Sequence, residues 1–318
     1  MDLSTLTEAS FYSKNTKSKL LKTNGAINLP KSNEASHLLK RELIASVTQK
    51  ELAAVILVEK TRPKALRAFD QIPMKNLDLL LQAKFISSYL VGKNVVFVGD
   101  YDRASLLLGL LSVLGLPGPE RMLVVDFDER VLNSHIRFAR NHGFSDRLEV
   151  QLYNVFDNVP DSLIGKFDWF YTNPPYGSRN AGESVRLFIT RGSEFTRPDS
   201  GNGCVIIPHD TTRLWTCGAM VATQRFLCSH NWTIKDKIDN FHQYHLDDDK
   251  ELYSSSLLIN HTAFNDAEES KMLFAGRQVG FEEIPYFYGL SVTPPYPRYI
   301  RANGKANYNW ELLEGIAS

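Results

Sequence analysis

NVVFVGDYDRAS, residues 94–105, decides the fold. Asn94 to Val98 is a short apolar, β-branched run that ends in Gly99, and Ala104 to Leu114 then reads as a helix. One glycine at a strand-to-helix turn lets a ligand approach the backbone, and the following helix N-terminus faces it. The unit recurs downstream. Met122 to Val125 is a second buried strand closing at Asp126, followed by a helix over 128–141 with Gly143 as its C-cap. Leu148 to Leu152 reads as a third strand and Phe167 to Tyr171 as a fourth. A helix over 183–194 then leads to a fifth strand, Cys204 to Ile207. Strands alternating with helices predict an α/β chain built on a doubly wound, mostly parallel, Rossmann-like sheet. Such sheets bind ligands beyond the carboxyl ends of their strands.

Outward from this core, residues 1 to about 35 are rich in Ser, Thr, Lys and Asn with little periodicity, which predicts a flexible or loosely wrapped segment. Ser36 to Val58 and Met74 to Leu90 carry helical spacing. The predicted organisation is a small helical N-terminal domain over 1–85 and the Rossmann-like domain with a C-terminal extension over 86–318.

The 318 residues are 43% hydrophobic and 23% charged, with 36 basic and 36 acidic side chains, an ordinary globular balance. A dedicated nucleic-acid binder usually shows a basic surplus, and none is present, so no nucleic-acid partner is expected. No apolar run reaches the ~18 residues of a membrane span, and the first residues lack a signal core. Cys204, Cys217 and Cys228 show no metal-ligand or disulfide spacing. These features predict a cytoplasmic protein without a metal, and they allow a homodimer.

The strand ends carry the candidate donor pocket. Gly99 would meet the ligand backbone, and Asp126 stands where an acid grips ribose hydroxyls in Rossmann-like nucleoside sites, with Phe127 beside it. Asp126 or Asp128 would cap the next helix. After the third strand, Asn154 or Asp157 is placed to meet an adenine edge along Val155, with Phe156 as a stacking face. After the fourth comes Asn173-Pro174-Pro175-Tyr176. Two prolines fix the backbone and aim the Asn173 side chain and the Pro174 carbonyl into the cleft. Both oxygens accept N–H groups and would orient a nitrogen lone pair towards a sulfonium carbon. Tyr176 would stack on a base or cap an amine.

This turn resembles that of the amino-methyltransferases that modify adenine N6, cytosine N4 or glutamine amides. Over about 69–191 the chain also resembles the branched-chain polyamine synthases, or N4-bis(aminopropyl)spermidine synthases. The similar stretches are Phe69-Asp70-Gln71, GKNVVFVGDYDRAS, VVDFDERVL, NVPDSL, FDWFYTNPPY and LFITRG. Tyr101 stands where that family has a middle aspartate, Asn154 where an acid is usual, and Asn173 where an acid often opens the Pro-Pro turn. The resemblance implies a class I methyltransferase-type fold, a polyamine substrate, and donor or acceptor contacts from Asp70 and Gln71.

The acids of the first turn separate the two chemistries. Asp100 and Asp102 would repel the carboxylate of adenosylmethionine but pair with the ammonium of decarboxylated adenosylmethionine, although one of them is expected to cap the helix instead. A polyamine nitrogen is protonated near neutral pH and needs a base, for which Asp102 is the first candidate and Asp100 the second. Asp239 to Asp249, with His242, Tyr244 and Asp247, reads as an acidic, aromatic segment able to receive a polycation or as a solvated loop. The expected reaction is therefore aminopropyl transfer from decarboxylated adenosylmethionine. The alternatives are an adenosylmethionine-dependent amino-methyltransferase and a non-catalytic nucleoside-binding regulator.

Overall fold

The computed structural model describes residues 34–210, 213–246, 252–262, 272–288 and 295–309. The expected flexible N-terminal segment lies almost wholly outside them. Seven strands form one sheet: β1 (Asn94–Val98), β2 (Arg121–Asp126), β3 (Leu148–Leu152), β4 (Trp169–Thr172), β5 (Asn202–Pro208), β6 (Trp232–Gln243) and β7 (Tyr253–His261). Their spatial order is β3-β2-β1-β4-β5-β7-β6. The first five run parallel, and β7 lies antiparallel between β5 and β6. The order in which strands are added reverses between β1 and β4, so a crevice opens at their carboxyl ends. A short ribbon of β8 (Tyr299–Ile300) and β9 (Ala306–Asn307) closes the described part.

Alternate residues of each strand face opposite layers, which explains the two apolar cores. Val95, Phe97, Tyr171, Cys204 and Ile206 face one side. There they pack with α1 (Glu34–Ala45), α2 (Gln49–Lys60), α3 (Asn76–Ser87), α4 (Ala104–Val113) and α5 (Glu129–Asn141). Val96, Val98, Phe170, Val205 and Ile207 face the other, with α6 (Glu183–Phe195), α7 (Leu214–Cys228), residues 272–288 and Tyr296.

The division expected between residues 85 and 86 falls inside α3, whose Leu79, Leu80 and Leu81 are wholly buried in the same core as Phe97 and Ile206. The helical run expected over 36–58 is two helices, because Thr48 starts a new one. Its hydroxyl accepts the Glu51 N–H while the Glu51 carboxylate accepts the Thr48 N–H, a capping box. Asp239 to Gln243 is not a loop but the end of β6.

Two glycines set how closely α6 approaches the sheet. A methyl group at Gly192 or at Gly203 would overlap the ring of Phe170, which is fully buried. Gly192→Ala is therefore expected to destabilise the protein by about 1–3 kcal/mol through overpacking, although alanine is the better helix former. Urea unfolding measures this, and an unchanged midpoint would contradict the tight approach.

Candidate active site

The carboxyl ends of β1, β2 and β4 open on a cavity of about 440 Å³. One wall is the turn from β1 to α4. Gly99 has φ of +72°, and the N–H of Asp100 donates to Asp126 Oδ2 at 3.2 Å. The Asp100 side chain points beneath the turn. Its Oδ1 accepts the Ala104 N–H at 2.8 Å, and its Oδ2 accepts the Ser105 N–H at 3.1 Å and lies 3.0 Å from His135 Nε2. Asp100 is thus the acid that caps α4. Its carboxylate is turned under the turn towards the helix end and His135, away from Asn173, which sets it apart from its expected roles as second base and ammonium partner.

Asp102 takes the opposite course. Its Oδ1 accepts the Met74 N–H at 2.8 Å, and its Oδ2 accepts the amide N–H of Asn173. The side chain borders the cavity although the residue is only 5% exposed, and burial pushes its carboxyl above the usual range. The Asn173 amide is thereby oriented with Oδ1 away from Asp102. That oxygen accepts from the Tyr176 hydroxyl at 3.3 Å and lies 3.4 Å from the Tyr244 hydroxyl. The two tyrosine hydroxyls are hydrogen-bonded to each other, and Tyr244 also reaches Ser254 Oγ at 2.8 Å. Pro174 and Tyr176 line the same wall.

At the β2 end, Asp128 caps α5 by accepting the Arg130 N–H, which leaves Asp126 to face the cavity. Burial, followed by the Asp128 charge, pushes the Asp126 carboxyl up to about 7. Asp70, in the left-handed region at φ +54°, also lines the cavity and is likewise pushed up to about 7 by burial. Gln71 borders the cavity, but its Nε2 donates to Asp128 Oδ2 at 2.8 Å. Phe127 joins Phe69 and Tyr288 in a cluster with ring centroids 5.7, 5.3 and 5.9 Å apart. Among the described residues, the lining includes four aspartates and one cation, Arg67.

Three other expectations change. Asn154 and Val155 line the cavity, but the Asn154 side chain donates to the Arg298 carbonyl at 2.7 Å and accepts the Phe156 N–H at 3.1 Å. Its side chain is thus held by the C-terminal segment and by its own turn. Phe156 is fully buried against Phe281 and Phe287, with centroids at 4.7 and 4.6 Å, and Asp157 is ion-paired to Arg298. Both stand behind the cavity wall. His242 is fully buried, with Nε2 2.8 Å from Gln82 Oε1 and Nδ1 2.9 Å from Ser254 Oγ, away from the cavity lining. Asp247 lies outside the described residues.

Sequence reasoning missed Tyr288, Trp215, Phe188 and Leu252 among the residues that line the cavity. None belongs to a strand-end motif. No group of three or more His, Cys, Asp or Glu placed to hold a metal occurs among the described residues, and no described helix is long and apolar enough to cross a membrane.

The strand order, the glycine turn and the acid after β2 define a class I methyltransferase-type α/β protein, with an Asn-Pro-Pro-Tyr turn at the cavity. Within that class the chain belongs to the family of the branched-chain polyamine synthase A C-terminal domain, whose sequence profile matches residues 51–269. It is 29% identical to the N(4)-bis(aminopropyl)spermidine synthase of Thermus thermophilus over 188 residues, 58% of this chain and 50% of that protein. It is also 29% identical to the enzyme of the same name from Thermococcus kodakarensis, over 190 residues, 59% of this chain and 50% of that one. The chain thus spans about half the length of these curated relatives. The crystal structure of the branched-chain polyamine synthase from Thermus thermophilus, in complex with N4-aminopropylspermidine and 5'-methylthioadenosine, superposes with a TM-score of 0.61 at 21% identity. It covers 78% of this chain and 75% of that one, a likeness of fold.

Asp70 yields a prediction with opposed signs. Its folded pKa of about 7 is raised above the ordinary aspartate value, so its contribution to stability is full below about pH 4 and is lost as pH rises through 7. Asp70→Asn keeps a residue suited to the left-handed region and removes the buried charge. The empty variant is expected to melt about 2–5 °C higher than the parent at pH 8, and at nearly the same temperature at about pH 4. Calorimetric scans at the two pH values test this, and an equal shift at both would refute it.

Proposed function

We propose that the protein is an aminopropyltransferase that moves an aminopropyl group from decarboxylated adenosylmethionine to a polyamine nitrogen. The observation that carries this reading is Asp102, a buried carboxylate bonded to Asn173 of the Asn-Pro-Pro-Tyr turn. Amide and nucleobase nitrogens need no such base, whereas a protonated aliphatic amine does. Family membership and the acidic lining support the same choice.

Each residue has work to do in that reaction. The Phe69, Phe127 and Tyr288 rings present apolar faces for a purine, and Asp126 faces the cavity where ribose hydroxyls would bind. Asp70 would meet the donor's ammonium or the acceptor's distal cations. Three carboxylates raised by burial are restored to their ionised form when cations replace water beside them. In the transfer, Asp102 takes the proton from the attacking nitrogen. The nitrogen lone pair forms the new C–N bond, the C–S bond breaks, and its electron pair remains on sulfur, giving a neutral thioether. Asn173 Oδ1 and the Pro174 carbonyl hold the nitrogen in line.

Incubation with each sulfonium donor and a polyamine panel, read by mass spectrometry, is expected to give aminopropylated product and 5'-methylthioadenosine from the decarboxylated donor. Methyl products from adenosylmethionine alone would overturn the proposal. Asp102→Asn is expected to lower kcat at least about 100-fold. Because Asp102 acts ionised and burial raises its pKa, the parent's rate should climb with pH through an inflection above the ordinary carboxylate range.

A further inference from the structure

A buried chain of polar groups runs from the centre of the sheet to the amine-holding turn, and its hydrogen-bond directions are determined one link at a time. Gln82 Nε2 donates to Cys204 Sγ at 3.3 Å, so Gln82 Oε1 is the atom facing His242 Nε2. An amide oxygen only accepts, and Nε2 of His242 therefore carries the hydrogen. Burial, reinforced by the Lys40 charge, holds His242 well below its usual pKa, so the ring is neutral and Nδ1 has a lone pair. Ser254 must donate its only hydrogen to that nitrogen across 2.9 Å. Ser254 Oγ then accepts from the Tyr244 hydroxyl at 2.8 Å, the shorter of its contacts to Ser254 and Asn173.

Tyr244 has one hydrogen, and it is spent on Ser254. What its phenol oxygen presents to the cavity is a lone pair. Without substrate that lone pair is met by the Tyr176 hydroxyl, which has a second acceptor in Asn173 Oδ1 at 3.3 Å. We infer that Tyr244 Oη is a further acceptor in the amine-binding site, held in that polarity by Ser254 and His242, and that it takes an N–H of the incoming polyamine nitrogen when Tyr176 turns its hydrogen to Asn173. Asp102 then receives the proton that leaves while Tyr244 keeps the remaining N–H and fixes the direction of the lone pair. His242 and Ser254 act through Tyr244 as positioning residues. This rests on the amine-alkylating reading above and goes beyond it, because neither the turn nor the acidic motif contains these three residues.

Tyr244→Phe deletes the acceptor. Ser254→Ala leaves the Tyr244 hydrogen to turn onto Asn173 Oδ1, where it competes with the substrate. Each is expected to raise the spermidine KM about tenfold or more, the cost of losing one hydrogen bond to a charged group. The affinity for 5'-methylthioadenosine should not change. The double variant should be no worse than Tyr244→Phe alone, because Ser254 acts only through the hydroxyl that is already gone. Additive losses would mean that Ser254 is merely structural, and an unchanged spermidine KM in Tyr244→Phe would overturn the assignment. If the parent transfers no aminopropyl group to any polyamine, the functional reading fails by itself. Calorimetric titration of parent and variants with spermidine in the presence of 5'-methylthioadenosine then decides the site. Weaker binding by Tyr244→Phe upholds the acceptor, and equal or no binding refutes it.

Discussion

Asp100 sits with its carboxylate under the N-terminus of α4, accepting two backbone N–H groups and facing His135. The turn above it enters the left-handed region twice, at Gly99 with φ +72°, where glycine bears no strain, and at Arg103 with φ +71°, where a side chain does. An L-residue in the left-handed region persists only where its surroundings over-determine it, and the Asp100 cap supplies that constraint. With the turn held, the Asp100 N–H reaches Asp126, and Asp102 is lifted to the cavity side against Asn173. Two acids two residues apart therefore do different work. One is consumed by the helix, and the other is left at the cavity against Asn173.

The cavity is expensive to build. Asp70, Asp102 and Asp126 are all raised by loss of water, and the Asn173, Tyr176 and Tyr244 network keeps several polar atoms in a small space. Such a network is tolerated only if its members are satisfied, and the chain through Ser254, His242 and Gln82 supplies the partners. A polycation is the ligand class whose binding relieves the carboxylates at once. Stability in the empty state and affinity in the bound state are thus set against one another by the same side chains.

The expected parallel strands match the observed ones closely, because β1, β2, β4 and β5 are mostly apolar runs buried on both faces, while β3 is a partly buried edge strand with alternating residues. The last strands were missed for the complementary reason. β6 alternates irregularly across two register shifts, and β7 opens on three serines, so neither has the apolar run of a central strand. Their serines and His242 are buried because they satisfy one another across the sheet, a property of pairing that no local window contains.

Much the same division holds for the site. The residue order alone established the strand-turn-helix unit, the placement of Gly99, Asp102, Asp126 and Asn173 at successive strand ends, and the resemblance to amine-alkylating enzymes. Those features are local, since they depend on apolar runs, a glycine and a pair of prolines. Only the tertiary structure decided which acid of each pair caps a helix and which faces the cavity, because capping depends on where the helix N–H groups point. Only it put Phe156, Asp157 and His242 away from the cavity lining and Tyr288 into it, since these positions are set by packing between segments more than a hundred residues apart. Sequence spacing does not record which side of a wall a residue occupies. The closed, hydrogen-bonded fold does.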